Sequence, residues 1–343
     1  MSHTIRVAGS EIAFACAPET TILDAAQVAG YAMPYSCRNG ICGSCKGRVT
    51  TGEVAVARTL DGVSAEERTS GYTLFCQAKP CSDLEIVPRQ IERIDPNARK
   101  VVTAKVYRVE RPADDVAVLQ LRFPAGTRVK FKAGQYLQVV LDDGERRSFS
   151  MANPPQQSDG VHLHVRVVHG GRFSEQVLPG LAPGKALRVE LPHGDFFLRE
   201  SSSRPAIFVA SGTGFAPIKS IIEDAFRRGV DREMVLYWGA RKAKDLYLAD
   251  LPARWAVERP GFRFVPVLSE PGDDDGWTGR TGFVHKAVME DFPSLAGREV
   301  YACGVPAMIN AARRDFETER GLPPDDFHCD AFVTPADVGR AAA

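Results

Sequence analysis

The apolar and polar positions of this chain change rhythm twice. In the first stretch they come in short alternating runs: Thr4-Ile5-Arg6-Val7 and Glu11-Ile12-Ala13-Phe14 flank Gly9-Ser10 and predict a hairpin. Residues 21–29 have helical spacing, with a Thr at the start and Gly30 behind them. Residues 47–50 and 83–87 predict later strands, so 1–91 reads as a small mixed α+β unit with a loop-rich middle. Residues 92–100 are charge-rich, contain Pro96 and predict a linker. From Val101 strands dominate, at 101–109, 116–123, 136–141, 147–151, 162–168 and 186–190. Pro and Gly punctuate them, the pattern of a closed antiparallel barrel over 101–200. Beyond Ser201-Ser202-Ser203-Arg204-Pro205 the period changes again. Buried-type strands at 206–210, 234–239, 262–267 and 299–302 alternate with helical segments such as 217–228. Residues 201–343 therefore predict an α/β domain with a doubly wound parallel sheet.

A length of 343 residues suits two or three such domains. With 44% hydrophobic and 25% charged residues, disorder of the chain as a whole is excluded. Lys+Arg and Asp+Glu each total 43, so no basic field exists to hold nucleic acid or an anionic membrane. No run approaches the roughly 18 apolar residues of a membrane span. The first residues lack the charged and apolar regions of a secretion signal. The expectation is a cytoplasmic protein with reduced thiols.

Five of the eight cysteines, Cys37, Cys42, Cys45, Cys76 and Cys81, crowd into one short stretch. Clustered thiols in a reducing compartment point to metal. Cys37, Cys42, Cys45 and Cys76 give C-x4-C-x2-C with a distant fourth Cys, the plant-type spacing for a [2Fe–2S] cluster. Gly40 and Gly43 let backbone N–H groups turn toward the sulfurs, which stabilises an anionic cluster. Structural zinc is the rival, although zinc sites pair two short knuckles. A Rieske centre would need histidine ligands that no Cys-x-His pair supplies. Cys16 and Cys81 read as bystanders. The stretch Tyr35-Ser36-Cys37-Arg38-Asn39-Gly40-Ile41-Cys42-Gly43-Ser44-Cys45, with Leu74-Phe75-Cys76-Gln77, resembles plant-type ferredoxins and implies a β-grasp fold for 1–91.

Arg147-Ser148-Phe149-Ser150 on a barrel strand resembles the R-x-Y-S/T flavin motif of the ferredoxin–NAD(P) reductase superfamily, with Phe149 in place of Tyr. An Arg can neutralise a flavin phosphate, and an aromatic two positions on shares its face and can pack on the ring. Ser150 is placed to hydrogen-bond the ring edge. The missing Tyr hydroxyl removes whatever bond it made. Val167-Val168-His169-Gly170-Gly171-Arg172-Phe173-Ser174 is similar to the family's G-G-x-F-S segment, whose glycines and N–H groups approach the pyrophosphate at the start of a short helix. Ser211-Gly212-Thr213-Gly214-Phe215-Ala216-Pro217 follows a strand and opens a helix, as a phosphate-cradling turn does, and matches the family's G-T-G-x-A-P form. Cys303-Gly304-Val305-Pro306 matches its C-G-x-P motif, which puts the thiol beside the nicotinamide; the bland reading is a small apolar strand end. Phe332, near the end, either covers the flavin face or is ordinary core.

The resemblance spans residues 1 to about 335 in the order ferredoxin, flavin barrel, NAD domain. It implies the reductase component of a bacterial multicomponent oxygenase, of the benzoate dioxygenase or phenol hydroxylase reductase type. CDP-6-deoxy-3,4-glucoseen reductase, which feeds a deoxysugar dehydrase, is the alternative, toward which residues 147–153 and 245–251 lean. The cofactors implied are FAD, [2Fe–2S] and NADH. A terminal oxygenase or another one-electron acceptor protein is the implied partner of a monomeric reductase. NADH is implied over NADPH, while Arg241, Lys242 and Lys244 follow the second strand of the NAD domain, where they can hold a 2′-phosphate or simply be solvated. Two rivals stand beside this reading: a colourless zinc-stapled binding protein, and an enzyme that reduces its own small substrate.

Overall fold

A computed structural model describes residues 2–56, 60–95, 98–272 and 276–334. Pro96 of the expected linker and residues 335–343 of the expected last domain lie outside the described residues. The chain divides into two compact units at about residue 98.

The first unit is built on a five-stranded mixed sheet. His3–Val7 and Ala13–Cys16 form the expected antiparallel hairpin, and Leu84–Pro88 then pairs parallel with His3–Val7. Lys46–Thr51 pairs antiparallel with both Leu84–Pro88 and Tyr72–Leu74. Thr21 caps helix Ile22–Val28 by accepting from the Asp24 N–H at 3.2 Å, and the helix buries Ile22, Leu23, Ala25 and Ala26. The helix Ala65–Thr69 was not anticipated, although its Ser64/Glu67 capping box is written in the sequence. The expected linker needs correction. Glu92–Arg93 pairs with Tyr31–Ala32, because an extended charged dipeptide can complete a ladder at a solvent-facing edge.

The second unit begins with a six-stranded antiparallel sheet. Along the sheet the strands are Arg146–Ser150, Tyr136–Val140, Ala186–His193, Lys100–Ala113, Val116–Arg122 and Gly160–Arg166. A bridge between Met151 and Leu163, with the Ala152 N–H donating to His162 O at 2.8 Å, brings the two end strands together. Alternate residues point inward, as the period-2 pattern requires: Val102, Ala104, Val106, Leu137, Val139, Leu163, Val165, Leu187 and Val189 form one core.

A parallel six-stranded sheet completes this unit, with Ala206–Ser211 flanked by Met234–Ala240 and Glu299–Gly304. Phe262–Leu268 and Arg280–Thr281 extend one side, and Phe327–Ala331 the other. Successive strands run outward from Ala206–Ser211 in one direction and then resume on its other flank. Helices Phe215–Arg227, Asp250–Glu258, Val284–Asp291 and Pro306–Arg320 connect or flank them. Antiparallel and parallel parts meet through specific polar contacts. The Ser220 hydroxyl donates to Asn153 O at 2.7 Å, Lys219 Nζ to Ala152 O at 3.1 Å, and His164 Nδ1 lies 2.8 Å from the Tyr247 hydroxyl.

Two consequences are measurable. A Cβ at Gly214 would stand 2.1 Å from Cys303 O, so Gly214→Ala should cost about 1–3 kcal/mol through forced separation of turn and strand. Gly180→Ala meets nothing within 4 Å and should stay within about 0.5 kcal/mol in the same denaturation series. Equal losses at both sites would refute the packing argument. Burial, followed by the Lys219 charge, lowers His164 to about 3 and His162 to about 4 from the ordinary 6.5. Their folded values are depressed, so the stability they support is complete above about pH 6.5 and drains away as the pH falls toward 4. His164→Gln keeps a hydrogen-bonding side chain and removes one titration, and should flatten the Tm-against-pH curve between pH 6.5 and 4. An unchanged slope would exclude His164 as a cause.

Candidate functional site

The four spaced cysteines converge on one loop and the strand end facing it. Cys42, Cys45 and Cys76 are buried and Cys37 is half-buried. They meet as two couples. Cys37 hydrogen-bonds Cys42, which pushes the Cys37 thiol up and brings Cys42 down to about 5. Cys45 and Cys76 repeat the arrangement, with Cys45 raised and Cys76 lowered by the bond between them. Backbone donors surround the sulfurs. The N–H groups of Asn39 and Cys42 reach Cys37 Sγ at 3.4 and 3.3 Å, Ser44 bonds Cys42, and Gly40 bonds Cys76. That inward turn requires left-handed backbone at Gly40 and Gly43 and, against its side chain's preference, at Arg38 (φ 56°). Arg38 is held there by Asp24, by the Tyr35 ring and by Gln77, whose Nε2 donates to Arg38 O at 2.8 Å. Among the described residues no three His, Cys, Asp or Glu side chains converge on a single-ion position. Two couples of thiols with N–H donors offer four sulfur ligands, a set that suits a two-iron cluster. Burial, aided by Asp24, pushes Cys16 up to about 11, and Cys81 is exposed.

The two flavin-like motifs also converge, in a way the sequence did not announce. Phe149 and Phe173 lie ring to ring at 4.7 Å. Arg147 Nη2 pairs with Glu145 Oε1 at 2.6 Å, and Arg172 of the glycine segment pairs with Glu145 Oε2 at 2.6 Å and with Asp143. These cations hold Glu145 and Asp143 below the usual carboxylate range. Ser148 is exposed, while Ser150 is buried on the opposite face from Phe149, and its Oγ has no hydrogen-bond partner. An orphaned buried hydroxyl is costly unless a ligand completes it.

The glycine segment departs from expectation. Residues Phe173–Val177 make a π-helical turn rather than the start of a regular helix. Phe173 is only 3% exposed and belongs to the barrel core with half-buried Val167, so its side chain packs rather than presents itself. The Ser174 hydroxyl is spent on its own loop, accepting from the Val168 N–H at 3.1 Å and lying 3.1 Å from Gly171 O. Gly170 takes positive φ at the loop tip, with open space around it.

In the parallel domain the remaining motifs meet where the strand order reverses. Gly212–Gly214 forms a tight 3-10 turn at the carboxyl end of Ala206–Ser211, and Cys303 and Gly304 end the neighbouring strand. Gly304, at φ 149°, lies against Ser211, whose Oγ accepts from the Val305 N–H at 3.1 Å. The Phe332 N–H donates to Gly304 O at 2.8 Å, which seats a half-buried ring beside the same point. Thr213 and Pro217 are buried, and Pro217 is the third residue of its helix. Cys303 is fully buried, and that burial pushes its thiol well up. As placed, it packs like a small core residue.

A cleft of about 520 Å³ opens at the same edge of the sheet. Arg241, Lys242, Lys244, Asp245 and Glu270 line one side, and Pro112–Asp115 with Arg166 line the other. Of these, Arg241, Lys242 and Lys244 were candidates from sequence. Asp115 and Arg166, joined at 2.7 Å, carry no local motif and enter the site through pairing of their two strands. Arg166 Nη1 would touch a Cβ on Gly212 at 2.8 Å, so the barrel's guanidinium lies directly on the phosphate-type turn.

The chain matches the family models "2Fe-2S iron-sulfur cluster binding domain" over residues 5–81, "Oxidoreductase FAD-binding domain" over 103–198 and "Oxidoreductase NAD-binding domain" over 208–314. The Comamonas sp. reductase component 2 of terephthalate 1,2-dioxygenase is 45% identical over 336 residues, covering 97% of this chain and 98% of that one. The CDP-6-deoxy-L-threo-D-glycero-4-hexulose-3-dehydrase reductase of Yersinia pseudotuberculosis is 40% identical, covering 97% of this chain and 99% of that one. The crystal structure of the Amycolatopsis cytochrome P450 reductase GcoB superposes with a TM-score of 0.76 at 37% identity, over 97% of this chain and 99% of that chain. Its three domains in this order and these full-length likenesses show that the chain belongs to the ferredoxin–NAD(P) reductase superfamily, as an oxidoreductase component that uses FAD, NADH and a [2Fe–2S] cluster.

Proposed function

We propose that this reductase draws electrons from NADH and delivers them singly to the terminal component of a ring-hydroxylating oxygenase. The observation that carries the reading is the co-occurrence, in one chain, of two thiol couples ringed by N–H donors and a separate unit holding both nucleotide-type sites. FAD, when bound, would take up the two electrons of one hydride and the cluster would carry them one at a time, which is the conversion such a partner needs. The 45% likeness to a dioxygenase reductase favours the oxygenase. The 40% likeness to a dehydrase reductase sustains the deoxysugar reading as the second choice. Reconstitution with each terminal component, scored by product formed per NADH, separates them.

We assign the cluster to Cys37, Cys42, Cys45 and Cys76. Arg147, Ser148, Phe149 and Ser150 would hold the flavin, together with the backbone around Val167, Gly170, Gly171, Phe173 and Ser174. Gly212, Thr213, Gly214, Pro217, Arg241, Gly304 and Cys303 would hold the nicotinamide dinucleotide. Phe332 is the ring that would cover the flavin face. The unpartnered Ser150 Oγ supports a hydrogen bond to the flavin edge. The finer fold belongs to the same proposal: a β-grasp first unit to about residue 98, then a closed barrel to about 200 and an NAD domain beyond. So does a monomer at work in the cytoplasm, where cysteines stay out of disulfides.

Arg147→Ala should weaken FAD binding by about 1.5–3 kcal/mol and purify flavin-depleted with its iron intact. Glu145→Gln should do the reverse, because it releases Arg147 and Arg172 from their shared carboxylate. Flavin loss in both variants would mean that the ladder is scaffolding. Cys42→Ser should damage the cluster, since a hydroxyl ligates iron less well than thiolate. NADH should still bleach the flavin and reduce a small dye, while transfer to cytochrome c or the oxygenase collapses. Wild-type delivery by a cluster-free protein would remove the cluster from the path.

A further inference from the structure

The cleft at the edge of the parallel sheet holds four cations, Arg166, Arg241, Lys242 and Lys244, and four carboxylates, Asp114, Asp115, Asp245 and Glu270. The cations are not equally available. Arg166 is committed to Asp115 at 2.7 Å, and Lys244 reaches Asp114 at 3.4 Å. Arg241 and Lys242 make no ion pair among the described residues. Both committed partners come from the turn Asp114-Asp115 of the barrel, and both captured cations face it from other strands or the other domain. The Lys244–Asp114 pair has side chains 68% and 92% exposed, too wet to hold two domains together. What the turn changes is the charge presented to a ligand.

We propose that Asp114 and Asp115 set the preference of this reductase for NADH over NADPH. The inference rests on the reading that this cleft receives the adenosine diphosphate half of the dinucleotide, at the carboxyl ends of parallel strands where such ligands bind. The diphosphate brings two negative charges, which Arg241 and Lys242 can meet. A 2′-phosphate adds roughly −1.5 to −2 more near neutral pH. The cations left for it, Arg166 and Lys244, already face Asp115 and Asp114, and Asp245 and Glu270 line the same cleft. Of the basic run Arg241-Lys242-Ala243-Lys244, which alone suits a 2′-phosphate, Lys244 is paired with a carboxylate from a different domain.

The test compares kcat/KM for NADPH and NADH, with a small dye as electron acceptor, in the flavin-loaded protein. Asp114→Asn/Asp115→Asn should raise the NADPH/NADH ratio by at least about tenfold, since it frees two cations for charge-assisted contacts. Asp114→Asn alone, at a side chain too exposed to affect folding, should raise the ratio by a smaller factor. Arg241→Ala/Lys242→Ala serves as control and should raise KM for NADH. An unmoved ratio alongside a raised KM in the control overturns the selectivity role and leaves the cleft as the cofactor site. Wild-type KM values for both nucleotides in the control overturn the site and the inference together.

Discussion

The second unit depends on one backbone approach, the seating of the Gly212–Gly214 turn against the end of Glu299–Gly304. Two parallel strands whose helices depart in opposite directions leave a crevice at their carboxyl ends. Here the crevice is closed to a few ångströms by residues without side chains. Any Cβ on Gly214 would overlap Cys303 O, and one on Gly304 would overlap Ser211. The nucleotide-type turn, the thiol of Cys303 and the ring of Phe332 are neighbours because of that contact. The glycines that look like ligand-approach residues serve first to pack protein on protein.

The charged groups follow a common rule. Arg147, Arg172, Arg166 and Lys244 are all paired with carboxylates in the protein itself. Such pairing keeps these cations from standing as a bare positive surface and fixes their geometry, so an anion that displaced a carboxylate would gain less than it would from a free cation.

The thiol loop solves a different problem. Four thiolates in low dielectric repel one another, and only donors aimed at the sulfurs make the set tolerable. The loop provides them with left-handed backbone at three positions, one of them the non-glycine Arg38. Asp24, Tyr35 and Gln77 hold that residue from three directions, so its strain is carried by the helix cap and the strand end around it.

Much of this was legible in the chain alone. Six barrel strands and four strands of the parallel sheet fall within a few residues of where alternation and apolar runs put them, since both depend only on which faces are buried. Cysteine spacing announced the cluster because ligand geometry is local. The short pairings at Tyr31–Ala32 and Val54–Val56 escaped notice, since two or three residues carry no period. The sequence by itself determined the order of the domains and the cofactor classes. Tertiary structure alone decided that Phe173 and Cys303 are buried, that Glu145 joins Arg147 to Arg172, and that Asp114 and Asp115 share a cleft with the basic run at 241–244. Those contacts join residues far apart in the chain, and a linear pattern records which face a side chain takes but not what stands across from it.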